Sequence, residues 1–326
     1  MKTLIPFTLA AALAASGFTH AQTAFSNSSG YITVPIAGNV AGSSAGAGTF
    51  VSAPLANLSL FAGSATASPS GGQVISFNGG VPLNLSGASM LEITNGASEG
   101  WWTTVASSTA TSVTITDSFP AGLAANVAVA VRKFTTIQDV FGENEAGLID
   151  ASNSPFDEIQ ILDAASAGQP TKTVVRSGAD WFDFVAETVA NEDIIYPGTA
   201  VKVIRRGALP LSLVIKGGVR VTKTHADVFP GTNWIGQPNP VGETFGGIQV
   251  ASQLNPADGA NPDFIDILRP NQSADTFVAV GANILNFVTE ADANTESLPE
   301  GNGFVLKRSS SQVATTVVFP GQVISN

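Results

Sequence analysis

The chain contains no cysteine and only two histidines among its 326 residues. Without cysteine, no disulfide can brace the fold, so its stability must come from apolar burial and strand pairing. The same scarcity excludes the ordinary zinc and copper sites, which are built from His and Cys ligands. Ca²⁺ or Mg²⁺ on oxygen ligands are the remaining candidate ions.

Charge is also scarce, and positive charge is scarcer than negative. Charged residues make up 12% of the chain, with 14 Lys and Arg against 25 Asp and Glu. The net charge of −11 repels nucleic acid phosphates and anionic membrane surfaces, which are bound mainly through Lys and Arg. We therefore expect no nucleic acid partner and no membrane insertion.

The N-terminus has the pattern of an export signal. Lys2 precedes an apolar run over residues 4–18, and Ala21 ends an A-x-A-like cleavage site. The run is too short to span a bilayer, which needs about 20 apolar residues. We predict a signal peptide over residues 1–21 and a mature protein that is secreted to the cell surface or beyond, with the periplasm as the alternative.

Helical periodicity is nearly absent from the rest of the chain. Short β-branched runs bounded by Gly, Pro, Asn or Asp recur at residues 112–116, 127–131, 158–162, 200–204 and 315–319. This pattern predicts an all-β fold of tandem sandwich or barrel-like units. Single helical turns are expected only after Thr136 and Thr224, because each precedes an Asp three residues on, as in a capping box.

Several segments of the chain resemble one another. Residues 131–141, 178–185 and 197–205 resemble residues 219–229, 281–288 and 300–308, and residues 30–34 and 50–54 resemble residues 218–221 and 234–238. Such internal similarity indicates tandem units. We predict an N-terminal β domain over residues 22–130, a first repeat over 131–217, and a second over 218–326 that includes the start of a truncated third copy.

The chain resembles an uncharacterised family of secreted β-rich proteins from verrucomicrobial-type bacteria. The segments that carry the resemblance are residues 30–31, 50–55, 99–105, 112–116, 134–136, 140–141, 181 and 197–206. The resemblance implies export and β-architecture over nearly the whole mature chain. It implies no activity, cofactor or catalytic residue.

One catalytic motif is present in the sequence. Residues 42–46 match G-x-S-x-G, the nucleophile elbow of the α/β-hydrolases. That motif needs a helix after it and a histidine base, whereas a Gly/Ala tract surrounds it here and His225 is the only histidine after residue 21. We interpret His225 as a partly packed side chain and do not expect a hydrolase.

Paired carboxylates for glycoside hydrolysis could come from Glu99 and the acids of the first repeat, Asp180, Asp183 and Glu187. Asp180 and Asp183 become Asn283 and Asn286 in the second repeat, so at most one repeat could be active. Among 25 acids some such pair is inevitable. We therefore expect no enzymatic activity.

A candidate Ca²⁺ site lies in the second repeat. Asp292, Asn294 and Glu296 offer alternating oxygen ligands. The segment lacks the glycine and the final glutamate of an EF-hand loop. Solvated loop carboxylates are the alternative interpretation, and no other cofactor is expected.

A candidate binding site is the hairpin that carries Trp101 and Trp102. Adjacent strand residues point to opposite faces, so one ring should face the core and the other solvent or a partner. An exposed tryptophan can stack on a sugar ring or anchor an interface. The alternative is a wide aromatic that covers an open end of the domain.

Two functions remain open at this point. The first is a non-enzymatic structural or adhesive protein of the cell surface or extracellular matrix, whose partners are other copies of the chain or other surface proteins. In that hypothesis Gly321, Val323 and Ile324 form a strand that pairs with a neighbouring chain. The alternative is a carbohydrate- or ligand-binding β module that uses the tryptophan hairpin.

Overall fold

The computed structural model describes residues 29–39, 45–142, 147–162 and 169–321. The predicted signal peptide, most of the G-x-S-x-G segment, Val323 and Ile324 lie outside the described residues. Within them the predicted all-β fold is confirmed, because antiparallel sheets account for nearly all regular structure. Among the described residues, no helix is long and apolar enough to cross a membrane.

The strands and helical turns follow the chain in this order. They are β1 (Ser29–Ile36), β2 (Ala47–Ser52), β3 (Leu55–Ala56), β4 (Ser59–Ser64), β5 (Val74–Ser76), β6 (Ser89–Ile93), β7 (Trp102–Ser108), β8 (Ser112–Ile115), β9 (Ala128–Lys133), β10 (Thr135–Thr136), α1 (Ile137–Phe141), β11 (Glu158–Ile161), β12 (Lys172–Ser177), β13 (Asp180–Asp183), β14 (Thr188–Val189), β15 (Ile194–Ile195), β16 (Ala200–Arg205), β17 (Leu211–Val219), β18 (Thr224–Val228), β19 (Gly231–Gly236), β20 (Glu243–Thr244), α2 (Phe245–Ile248), a 3-10 turn (Ala251–Gln253), β21 (Phe264–Leu268), β22 (Ala274–Val280), β23 (Asn283–Asn286), β24 (Ser297–Leu298), β25 (Gly303–Arg308) and β26 (Thr315–Phe319).

The first unit consists of residues 29–56 and 135–219. Its six-stranded sheet has the order β2-β16-β11-β12-β13-β14, and a three-stranded sheet has the order β1-β17-β3. Both sheets and α1 contribute to one apolar core, in which Val203, Ile215 and Trp181 are almost completely buried. The alternation of buried and exposed residues along β1 and β17 follows the period of two that a half-buried strand requires.

The second unit consists of residues 224–319. Its five-stranded sheet has the order β19-β25-β21-β22-β23, the same order as β2-β16-β11-β12-β13, and β18 pairs with β26 as β1 pairs with β17. Phe245, Phe277 and Phe304 pack together in its core.

Each unit holds one buried ion pair in an equivalent place. In the first unit Arg205 pairs with Asp157, and in the second Arg308 lies 3.5 Å from Asp263. Each aspartate also accepts a backbone N–H: Ile149 N donates to Asp157 Oδ2 at 2.7 Å, and Asn255 N donates to Asp263 Oδ2 at 3.0 Å. The ion pair thus connects the C-terminal end of β16 or β25 with the loop that precedes the adjacent strand, β11 or β21.

Residues 57–134 form an inserted domain within the first unit. Its sheet has the order β4-β9-β6-β7-β8-β5, and Thr66 N donates to Ser76 O, which brings the two edges together. Asn57 Nδ2 donates to Phe134 O at 2.9 Å, so the domain begins and ends at one point. Strands β1 and β2, on the N-terminal side of the predicted boundary at residue 130, pair with β17 and β16 of the first unit.

The two predicted helical turns have different outcomes. Thr136 caps α1 with a complete capping box, since its hydroxyl accepts from Asp139 N and the Asp139 carboxylate accepts from Thr136 N. The turn predicted after Thr224 is wrong, because Thr224 begins strand β18. Thr224 and Ala226 are buried in alternation, a period of two that the Thr-x-x-Asp spacing conceals. The capped turn of the second unit follows Thr244 instead.

The two units meet through symmetric contacts. Ser52 N of the first unit donates to Gly301 O at 2.8 Å, and Gly236 N of the second unit donates to Gly198 O at 3.0 Å. The rings of Phe50 and Trp234 are in edge contact between the units, with their centroids 5.3 Å apart. Each unit thus donates one backbone hydrogen bond to the other and accepts one from it at equivalent positions, as in a two-fold interface between identical subunits.

Candidate functional site

The two predicted binding tryptophans point in opposite directions. The Trp101 ring packs against the core of the inserted domain, with its centroid 5.7 Å from that of Phe119. The Trp102 ring turns toward the two units, and its Nε1 donates to His225 O at 2.9 Å. Trp102, not Trp101, therefore belongs to a surface shared by all three parts of the chain.

Trp102 is one member of a three-ring cluster. It stacks on Tyr196 with centroids 5.8 Å apart and an interplanar angle of 17°, and both rings meet Phe134 edge-on. Tyr196 is 46% exposed, whereas Trp102 is half-buried behind it. Tyr196 therefore presents the accessible ring of the cluster, and Trp102 supports it.

The cluster forms one wall of a cleft of about 540 Å³. The inserted domain contributes Trp102, the first unit contributes Leu162, Tyr196 and Val201, and the second unit contributes Phe229. Small-molecule sites are clefts of roughly 300–1,000 Å³ with mostly apolar walls and a few polar groups. By size and lining, this cleft matches that description and is the candidate ligand site.

Four charged residues line the cleft. Lys172 Nζ lies 2.9 Å from both carboxylate oxygens of Asp193. Glu192 and Asp227 are exposed, and neither has a cationic partner within the described ranges. The unpaired charge of the cleft is therefore negative.

A buried ionic cluster fixes the inserted domain beside the cleft. Glu92 accepts from Arg220 Nη2 at 2.9 Å and from Thr222 Oγ1, and it lies 3.4 Å from Arg132 Nε. Burial alone would raise the pKa of Glu92, but Arg220, Thr222 and Arg132 together outweigh it and hold this pKa below its ordinary value. Arg220 and Thr222 belong to the linker between the two units, so the cluster joins the inserted domain to that linker.

His225 occupies the same junction. It is half-buried in β18, and its Nε2 lies 3.1 Å from Glu99 O. Burial lowers the pKa of His225 below its ordinary value. The hydrogen bond to the Glu99 backbone and the negative charge of Asp227 raise this pKa, but they only partly offset the effect of burial. The imidazole thus faces the inserted domain, while the backbone carbonyl of His225 holds Trp102.

The predicted Ca²⁺ ligands have protein partners in the structure. Asn294 Oδ1 accepts from Ile284 N at 3.0 Å, Asp292 Oδ1 accepts from Asn294 N at 2.8 Å, and Glu296 accepts from Arg269 Nη2 at 2.8 Å. In the part of the chain that the structure describes, no group of three or more His, Cys, Asp or Glu side chains could hold a metal ion.

Two of the acids considered for glycoside hydrolysis accept hydrogen bonds within the first unit. Asp183 Oδ1 accepts from Val185 N at 2.9 Å and Ala186 N at 3.1 Å, and Asp180 accepts from Asn191 Nδ2 at 2.9 Å. Asn286 makes the two equivalent turn contacts in the second unit. An amide oxygen serves there as well as a carboxylate, which shows that the turn needs an acceptor and not a charge.

The predicted assembly strand is described only at its first residue. Gly321 follows β26 and lies against the backbone of Val221 and Thr222, where a Cβ would approach Val221 O to 2.2 Å. Strand pairing by Val323 and Ile324 stays a prediction.

The cleft residue that sequence reasoning missed is Tyr196. It follows β15 directly and precedes Pro197, a strand-to-turn position that gives no signal of its own. Its stacking partner, Trp102, is distant in the chain, so only the fold brings the rings together.

No protein-family model matches the chain, and no similar curated protein or solved structure was found.

Proposed function

We propose that the protein is a non-enzymatic adhesive protein of the cell surface or extracellular matrix that binds a carbohydrate chain in the cleft. The observation that carries this proposal is the half-exposed Tyr196 ring, backed by Trp102, on the wall of a cleft of about 540 Å³. An aromatic ring held in a fixed orientation is suited to packing against the apolar face of a sugar ring.

The polar groups of the cleft agree with such a ligand. Sugar hydroxyls need both donors and acceptors, and the Lys172–Asp193 pair offers both beside the aromatic wall. A few polar groups within apolar walls are typical of sites that orient a ligand.

The architecture supports a role in adhesion. We infer that the two units are tandem copies, since their main sheets share one strand order and the copies contact each other through equivalent hydrogen bonds. The inserted domain adds Trp102 to the first copy, and in the part of the chain that the structure describes no second inserted domain supplies such a ring to the second copy. Export through the predicted signal peptide would place this cleft outside the cell.

The test is a pull-down with insoluble polysaccharides followed by titration with soluble oligosaccharides. We expect Tyr196→Ala to weaken binding by at least about tenfold, which corresponds to about 1.4 kcal/mol. Tyr31→Ala is the matched control, because Tyr31 is 74% exposed on β1 and does not line the cleft. Unchanged binding in Tyr196→Ala, or equal losses in both variants, would refute the proposal.

The second candidate function is self-assembly through the terminal strand. In the first unit, Gly218 and Val219 of β17 pair with β3. The equivalent positions of the second unit lie outside the described residues, and the β18-β26 sheet has no strand equivalent to β3 among those that are described. In this candidate function a strand of another chain takes that place. Deleting residues 321–326 should then abolish oligomers without changing the unfolding temperature, and a truncated protein that still assembles would refute this candidate.

A further inference from the structure

The charges of the cleft restrict the kind of carbohydrate it can bind. Asp193 is neutralised by Lys172, whose Nζ lies 2.9 Å from both of its carboxylate oxygens. Lys172 is the only basic residue among the described residues that line the cleft. Glu192 and Asp227, on walls from different units, form no salt bridge within the described ranges, and Asp227 Oδ1 accepts a hydrogen bond from Thr316 Oγ1 at 3.2 Å.

Both acidic residues line the same cleft as the aromatic side chains. Tyr196 follows Glu192 by four residues, and Phe229 follows Asp227 by two. Aromatic faces attract cations through the ring quadrupole, and carboxylates attract them through their charge. The combination of ring faces and unpaired carboxylates is suited to a ligand that carries ammonium groups.

We propose that the cleft selects a cationic glycan built from amino sugars with free amines, and that Glu192 and Asp227 determine this specificity. This inference rests on the proposed carbohydrate-binding function. The sugar ring would pack on Tyr196, with an ammonium group directed to the carboxylates. Glycans rich in uronic acids or sulfate would be repelled by the same two groups and by the net charge of −11.

The experiment is isothermal titration of the full chain with oligosaccharides that differ only in charge. The main probes are a β-1,4-linked glucosamine oligosaccharide and its fully N-acetylated form of the same length. A galacturonate oligosaccharide supplies negative charge, and an oligolysine supplies positive charge without sugar rings. We expect the glucosamine oligosaccharide to bind at least about tenfold more tightly than the N-acetylated form, with an advantage that shrinks as salt is added.

The variants separate charge from stacking. Glu192→Gln combined with Asp227→Asn should remove the roughly tenfold preference for free amines. The same double variant should leave the affinity for the N-acetylated form unchanged. Tyr196→Ala should weaken binding of both forms. Glu300→Gln is the control, because it removes an exposed carboxylate that does not line the cleft.

Each outcome bears on one proposal or on both. Equal affinity for the two glucosamine forms, or tightest binding of galacturonate, overturns the amino-sugar inference and leaves carbohydrate binding standing. Oligolysine that binds as tightly as the glucosamine oligosaccharide, with no effect of Tyr196→Ala, assigns the site to a basic peptide and overturns both proposals. Failure of every oligosaccharide to bind also overturns both.

Discussion

Replacing Glu92 with Gln should destabilise the protein more than any surface substitution. The Glu92 side chain is 0% exposed, accepts hydrogen bonds from Arg220 and Thr222, and lies 3.4 Å from Arg132. Glu92→Gln preserves the volume but leaves two buried guanidinium groups without a counter-charge. Breaking a buried ion pair in this way costs about 3–5 kcal/mol. That loss is a large share of the roughly 5–15 kcal/mol that stabilises a typical protein.

The assay is urea unfolding followed by tryptophan fluorescence, because Trp101 lies in the inserted domain and Trp102 at its junction with the units. Glu300→Gln is the control, since Glu300 is exposed and a surface substitution changes stability by no more than about 0.5 kcal/mol. We expect the transition of Glu92→Gln to occur at a much lower urea concentration. A difference from the control of less than about 1 kcal/mol would refute the account of this junction.

Three further predictions concern pH, backbone geometry and the second unit. The pKa values of Glu92 and His225 in the folded protein both lie below their ordinary values. Each group therefore stabilises the fold fully at a pH above its ordinary pKa, and this stabilisation is lost as the pH falls toward its folded-state pKa. The loss from His225 begins below about pH 6.5, and thermal unfolding of His225→Gln should be less sensitive to pH near 6; an unchanged pH profile would contradict this. Gly100→Ala should weaken the junction by more than about 1 kcal/mol, because Gly100 has a φ of +86° and a Cβ would lie 2.3 Å from Lys223 O. Asp263→Asn should cost about 3 kcal/mol in urea unfolding, because Arg308 keeps its hydrogen bond to the neutral Gln312 but loses its counter-charge, and a loss below about 1 kcal/mol would contradict the buried pairing.

The sequence predicted local structure better than long-range pairing. The β-branched runs at residues 158–162 and 200–204 correspond to β11 and β16, because alternating apolar residues specify a strand wherever one face is buried. The same patterns do not identify a strand's partner. Strands β2 and β16 pair although the whole inserted domain lies between them in the chain, and periodicity carries no signal of such a pairing.

The candidate site was only partly predictable for the same reason. Trp102 can be identified in the sequence because it directly follows Trp101. The alternation of strand residues predicts that the two rings face opposite sides. Tyr196 and Asp227 join it only because the inserted domain docks on the linker through Glu92 and Arg220. That docking depends on buried charge, which hydrophobic patterns do not reveal.

A crystal structure of the full chain with a bound glucosamine oligosaccharide would show directly what the cleft binds. We expect a sugar ring packed on the open face of Tyr196, with an ammonium group within hydrogen-bonding distance of Glu192 or Asp227. An oligosaccharide bound elsewhere on the molecule, with the cleft between Trp102 and Phe229 free of sugar, would contradict this expectation.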